Sequence, residues 1–215
     1  MTRVLRIIGL AVACGLAGAS LTGCGSGAAG LADTETSQEM TRLRQILYKA
    51  PALPDGFSVR PRAAWRPPFK AADRDCRAVF DTAGGRAPTR ALVAQAAATF
   101  QGDVLGEVAA VGLASYSGEE AEWHLKDLGK SLDGCPGLEA AKGTEFRESE
   151  LPVGELGDEA VGAQFRGRLN GYPYALNLVL VRQGDTIISL VHTGLAKVDA
   201  KRTQSLARAV VGMAD

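Results

Sequence analysis

The chain has 215 residues, 24 basic and 24 acidic side chains, four cysteines and only two histidines. Balanced charge excludes the dense Lys/Arg surface on which general nucleic-acid binding depends, so no nucleic-acid partner is expected. So few cysteines and histidines leave little from which to build a zinc site, and neither a metal nor another cofactor is expected.

Arg3 and Arg6 open the chain, and an apolar run follows from Ile7 to about Ala19. That run is shorter than the roughly 20 apolar residues of a membrane-crossing helix. A basic start, a short apolar core and small residues after it read as an export signal. The next residues, Leu21-Thr22-Gly23-Cys24, resemble the lipobox of bacterial prolipoproteins: an aliphatic residue, two small ones that let the peptidase approach, and an obligatory cysteine. The resemblance implies cleavage before Cys24 and acylation of its thiol, with palmitate-type chains. Two or more acyl chains hold a protein durably, where one does so only marginally. The expected location is therefore the extracytoplasmic face of the cell membrane, with the membrane itself as a partner through the anchor.

Residues 1–23 are then the signal peptide. Residues 24–37, rich in Gly, Ala, Ser and Thr, read as a flexible tether. Residues 38–215 are left as one domain, long enough to bury a core. Cys14 leaves with the signal and Cys24 is lipidated, so Cys76 and Cys135 remain. In an oxidising compartment they are expected to pair, buried free thiols being the alternative.

Met40, Leu43, Ile46 and Leu47 lie at helical spacing and predict a helix over 38–49. Five prolines between 51 and 68 break regular structure, leaving room for a short strand near Phe57–Arg60. Arg60, Arg62, Arg66, Lys70, Arg74 and Arg77 make this stretch basic. It reads as a solvated surface, with anionic head groups as the functional alternative. A helix is expected from Asp73 to about Ala83, with Cys76 in its first turns. Strands are expected over 90–100 and 104–116. Ser117 and Glu120 have capping-box spacing, and Ala121, Leu125, Leu128 and Leu132 form one helical stripe, ended by Gly134 before Cys135 and Pro136.

The C-terminal third reads most clearly. Val161 to Leu169 alternates, Asn170-Gly171 is a strong hairpin signal, and Tyr172 to Arg182 returns. Leu176, Leu178 and Leu180 fall on one face of that strand, and Val179 and Val181 on the other, as in a central strand. Gln183-Gly184-Asp185 turns into a strand over 186–193, and Asp199 can cap a last helix carrying Leu206, Val210 and Met213. The predicted class is α+β: a mainly antiparallel sheet with helices packed on it, in a single domain after the signal and tether.

This order, with Asp75-Cys76, Trp123 in the helix leading to Cys135, and Val181-Arg182-Gln183-Gly184-Asp185 before a Thr/Ile strand, resembles the extracellular sensor domain of the mycobacterial PknH-type kinases over about residues 50–213. The resemblance implies recognition of an unknown envelope ligand or protein in a cleft, with no catalytic residues to transfer. More distantly, the chain is similar to PsbP-like lipoproteins, which have an α/β/α sandwich. The sequence has no G-x-S-x-G, H-E-x-x-H or phosphate-loop motif. His124 and His192 lie in separate elements, with no role expected for either. Trp123 falls opposite the leucine stripe. It could anchor a ligand or partner, or instead cover the disulfide. Tyr172 and Tyr174 are the other candidate contacts, with the core edge as their alternative. A non-catalytic ligand-binding lipoprotein is the leading expectation, ahead of a lipid or glycolipid carrier and an envelope hydrolase.

Overall fold

The computed structural model describes residues 27–49, 52–71, 73–140, 143–195 and 197–214; the expected signal peptide over 1–23 and the expected acylation site Cys24 lie outside them. The elements follow in the order α1 (Gly27–Tyr48), α2 (Arg74–Ala83), β1 (Leu92–Gln101), β2 (Val108–Tyr116), α3 (Glu120–Asp133), β3 (Gly137–Ala140), β4 (Thr144–Glu150), β5 (Glu159–Leu169), β6 (Tyr172–Gln183), β7 (Thr186–Gly194) and α4 (Ala200–Ala214). The strands form one sheet in the order β1-β2-β7-β6-β5-β4-β3, with every neighbouring pair antiparallel. The α+β class read from the sequence is the class observed.

The centre of the sheet follows from side-chain parity. In β6, the middle strand, Leu176, Leu178 and Leu180 enter one core with α2 and α3, while Val179 and Val181 enter the other with α1 and α4. Each such buried side chain stabilises the fold by about 1.5–3 kcal/mol relative to exposure. The result is a three-layer α/β/α sandwich. The β5–β6 hairpin turns on Asn170 and Gly171, at φ 52° and 84°, the positive values that a tight two-residue turn requires.

Cys76 lies in the first turn of α2 and Cys135 just past the end of α3. They form a disulfide with the Cα atoms 4.9 Å apart, and both residues are fully buried. Asp73 positions Cys76: its Oδ1 accepts hydrogen bonds from the backbone N–H groups of Asp75 (2.7 Å) and Cys76 (3.1 Å). This side-chain cap satisfies donors that the helix leaves free.

Three elements differ from the expectation. Helix α1 starts at Gly27 rather than Gln38, and Ala28, Ala29, Leu31 and Ala32 supply the helix propensity that extends it. Its later turns pack on the sheet through buried Leu43 and Leu47 and a hydrogen bond from the Tyr48 hydroxyl to the Ala97 carbonyl (3.0 Å). The Ser117–Glu120 capping box does not form. The Ser117 N–H is spent on the Ala91 carbonyl (3.0 Å), Gly118 turns at φ 65°, and α3 begins two residues later with Glu119 as its N-cap and no side-chain cap bond. Strands β3 and β4 form where no element was expected. In β4 only Thr144 and Phe146 are buried among charged neighbours, as suits a strand near a sheet edge. At 57–62 the expected short strand is reduced to two isolated bridges, Phe57 to Gly102 and Arg62 to Thr99.

Candidate functional site

A row of polar side chains crosses the α4 face of the sheet where an apolar core would be expected. Gln164, Asn177 and His192 are register partners on β5, β6 and β7, and each points towards α4. All three are buried, Asn177 completely. Burying such groups unpaired costs several kcal/mol, so each must find a partner. Gln164 Nε2 donates to Asn177 Oδ1 (2.7 Å), and Asn177 Nδ2 donates to Thr203 Oγ1 on α4 (2.8 Å). His192 Nδ1 lies 2.9 Å from the same hydroxyl, and its Nε2 lies 3.0 Å from Glu107 Oε1.

Glu107 is delivered by the β1–β2 turn. Gly102 N–H donates to the Glu107 carbonyl (3.0 Å), Glu107 N–H donates to the Val104 carbonyl (2.9 Å), and Gly106 between them takes φ 79°. Asp199 sets the start of α4 by accepting from the Arg202 N–H (2.8 Å), and this orients Arg202 and Thr203 towards the sheet. Arg202 then grips Glu107 with two bonds, Nε to Oε1 (2.7 Å) and Nη2 to Oε2 (3.3 Å). Its guanidinium carbon lies 4.6 Å from the Phe57 ring centroid, and Nη2 also reaches Asp103 (3.4 Å). Such two-point guanidinium–carboxylate pairs fix geometry as well as charge.

The electrostatics assign the protons. Burial pushes the His192 pKa down against the pull of Glu107, so the ring is neutral at pH 7. Burial also works to raise the Glu107 pKa, but the hydrogen bonds and charges of Arg202 and His192 outweigh it and hold the carboxyl below its usual range. A neutral ring beside a carboxylate places its one N–H on Nε2, donating to Glu107. The Thr203 hydroxyl then faces two acceptors, Nδ1 at 2.9 Å and the Asp199 carbonyl at 3.0 Å. The Asp199 carbonyl keeps a partner in the Thr203 N–H (3.0 Å).

Above this network opens a cleft of about 650 Å³ between the β1–β2 turn, the β7–α4 connection and the first turn of α4. Glu107, His192 and Arg202 form its floor. Val104, Leu105 and Leu195 stand on its rim at 63%, 83% and 50% exposure, three of the most exposed large apolar side chains among the described residues. The cleft thus combines a fixed, charge-paired floor with an apolar mouth, the usual make-up of a small-molecule site.

The residues singled out from sequence lie elsewhere. Trp123 is exposed on the outer face of α3, with the Lys126 ammonium 5.6 Å from its ring centroid, and does not cover the disulfide. Tyr172 is exposed at the β5–β6 hairpin. Tyr174 is half-buried beside Phe146, with ring centroids 5.8 Å apart, and burial pushes its phenol pKa up. Among the described residues, no ring contact joins Trp123 to either tyrosine. None of the three lines the cleft. His124, also given no role, is buried against Tyr116 with its Nε2 2.9 Å from the Arg90 carbonyl. The signal for the network was Asn177, a polar residue on the Val179–Val181 face of a strand covered on both sides.

No family model matches the chain, and no curated protein does. Solved structures do match. The extracellular domain of PknH from Mycobacterium tuberculosis aligns at a TM-score of 0.56 with 11% identity, over 81% of this chain and 96% of that one. The fold is that of the PknH extracellular domain. The Rv0999 ortholog from Mycobacterium smegmatis aligns at 0.44 with 15% identity, over 83% and 94% of the two chains.

Proposed function

We propose that this chain is a lipid-anchored protein of the cell envelope whose domain binds an envelope ligand, sensor-like and without catalysis, in the cleft above Glu107, His192 and Arg202. The observation that carries the reading is the placement of the cleft. The middle of α1 sits at the β6–β7 turn, where Glu39 and Arg42 approach Ser115 and Asp185, and the helix ends beside Ala97 halfway along β1. Its first turns therefore leave the sheet at the end opposite the cleft. An acylated Cys24, three residues before α1, would hold that end at the membrane and turn the cleft outward. The buried Cys76–Cys135 disulfide supports an oxidising, extracytoplasmic location.

Two features favour binding over the other readings. The hydroxyl beside His192 belongs to Thr203, which is completely buried and so cannot serve as the exposed nucleophile that an envelope hydrolase needs. Both layers between sheet and helices are filled by buried side chains, which favours a surface cleft over a lipid carrier's interior cavity. Native mass spectrometry of the chain purified from its own envelope tests the proposal. A one-to-one bound mass is expected, and it should be lost when Leu105→Asp and Leu195→Asp are combined. Persistence of the bound mass in that variant, or a wild-type chain that is always empty, would overturn it.

A further inference from the structure

Exposed apolar side chains gather at one end of the sheet. Strand register places the β1–β2 turn, the end of β7 and the β5–β6 hairpin at that same end, since Val108 pairs with Thr193, Ala175 with Gly194 and Leu169 with Tyr172. Val104 and Leu105 stand on the first of these connections, Leu195 follows the second, and Tyr172 leaves the third at 75% exposure. They are four of the seven large apolar side chains that are exposed among the described residues. The first two connections touch: a Cβ on Gly106 would lie 2.9 Å from Leu195 Cγ. With neighbouring strands about 4.8 Å apart, the row runs about 14 Å from the mouth of the distal cleft to the hairpin.

Charges on these connections are engaged within the chain. Arg202 is held by Glu107 and Asp103, and Asp199 by the Arg202 N–H and the charges of Lys197 and Lys201. Arg168 Nη1 donates to the Gly171 carbonyl (2.8 Å). The row therefore needs no oppositely charged partner. Valine and leucine side chains bring no hydrogen-bonding atom, and a tyrosine ring with its phenol suits the boundary between lipid and water. Four side chains cover on the order of a few hundred Å², short of the roughly 800 Å² per partner of a stable protein complex. A protruding row also needs a matching groove in a rigid partner, whereas fluid lipid closes around it.

We propose that this end of the sheet docks on a neutral lipid surface by inserting Val104, Leu105, Leu195 and Tyr172. The contact is hydrophobic and needs no anionic head group. It lies at the end of the sheet opposite the first turns of α1, so a chain anchored through Cys24 would bridge its own membrane and a second lipid surface. The inference rests on where these four side chains stand and not on what the distal cleft binds.

The test uses the full chain purified from its own envelope, with Val104→Cys carrying an environment-sensitive nitrobenzoxadiazole label. It is presented on lipid nanodiscs, or in buffer if it needs none, and protein-free vesicles of phosphatidylcholine are added. Label emission should rise and move to shorter wavelength, equally with phosphatidylglycerol vesicles and at high salt. The response should be lost when Leu105→Asp and Tyr172→Asp are combined, with near-UV circular dichroism and the melting temperature showing that the variant is folded. Tyr172→Asp alone should weaken it and leave the bound mass of the distal cleft unchanged, because Tyr172 does not line that cleft. No response to vesicles, or an equal response from the folded double variant, would overturn the inference. So would a response confined to anionic vesicles and abolished by salt, which would make the contact electrostatic. A rise with chain concentration in the absence of vesicles would overturn it too, and would assign the row to a second copy of the chain.

Discussion

Replacing Glu107 by Gln removes one charge from the floor of the distal cleft and keeps the side chain's size. In the native chain three donors converge on the carboxylate: His192 Nε2 at 3.0 Å, Arg202 Nε at 2.7 Å and Arg202 Nη2 at 3.3 Å. A hydrogen bond to a charged group contributes about 1.5–3 kcal/mol, against about 1 kcal/mol for a neutral one. The amide can keep its oxygen towards His192 and Arg202 Nε, but its NH₂ then faces Arg202 Nη2, donor against donor. Arg202 is about one-third exposed and retains Asp103, so water and that second carboxylate soften the loss. The net expectation is a destabilisation of about 2 kcal/mol, equivalent to roughly 4–8 °C in Tm for a domain of this size. Urea titration at pH 7, followed by circular dichroism, measures it as a lower midpoint with an unchanged slope. A loss below about 0.5 kcal/mol, the range of ordinary surface substitutions, would show that the three contacts do not act as a buried charge network.

The depressed His192 pKa fixes the direction of a pH effect. The unfolded ring titrates near about 6.5 while the folded ring titrates lower. Below about pH 6.5 the unfolded chain therefore takes up a proton that the native chain refuses. Its contribution is complete above that pH and is lost on descent towards the folded value. His192→Gln should flatten the dependence of the urea midpoint over about pH 7.5 to 5; an unchanged slope would place the titration elsewhere. Changing Cys76 and Cys135 together to Ala should cost about 4 kcal/mol, from opening a covalent loop with a sequence separation of 59 residues. A shift under about 1 kcal/mol in the same titration would mean that the bridge does little to confine the unfolded chain. Mass spectrometry of the membrane-extracted chain should show a diacylglyceryl mass on Cys24, and an unmodified Cys24 would remove the lipid anchor.

The meander β5–β6–β7 was legible because its parity, its Asn170-Gly171 turn and its doubly apolar central strand all point to one register. The disulfide was legible because the expected processing leaves only Cys76 and Cys135 to pair. Strand β4 was not, since its charged outward face hides the two inward residues Thr144 and Phe146, and its partner β3 has only four residues. The capping box failed because a local pattern competes with tertiary demand, and the Ala91 carbonyl claimed the Ser117 N–H first. The candidate site was the least readable part. Glu107, His192 and Arg202 are brought together by the pairing of β2 with β7 and the return of α4, and nothing in the spacing of residues so far apart announces that contact. Exposed aromatics such as Trp123 drew attention instead, although exposure alone says little about where a ligand sits.

Hydrogen–deuterium exchange with and without an extract of the native envelope locates the binding surface most directly. Slowed exchange is predicted in the two segments that frame the distal cleft, 102–107 and 193–195 with 197–199, and no slowing there when Leu105→Asp and Leu195→Asp are combined. Protection confined to the outer face of α3 around Trp123, or none anywhere, would contradict the assignment of that cleft as the ligand site.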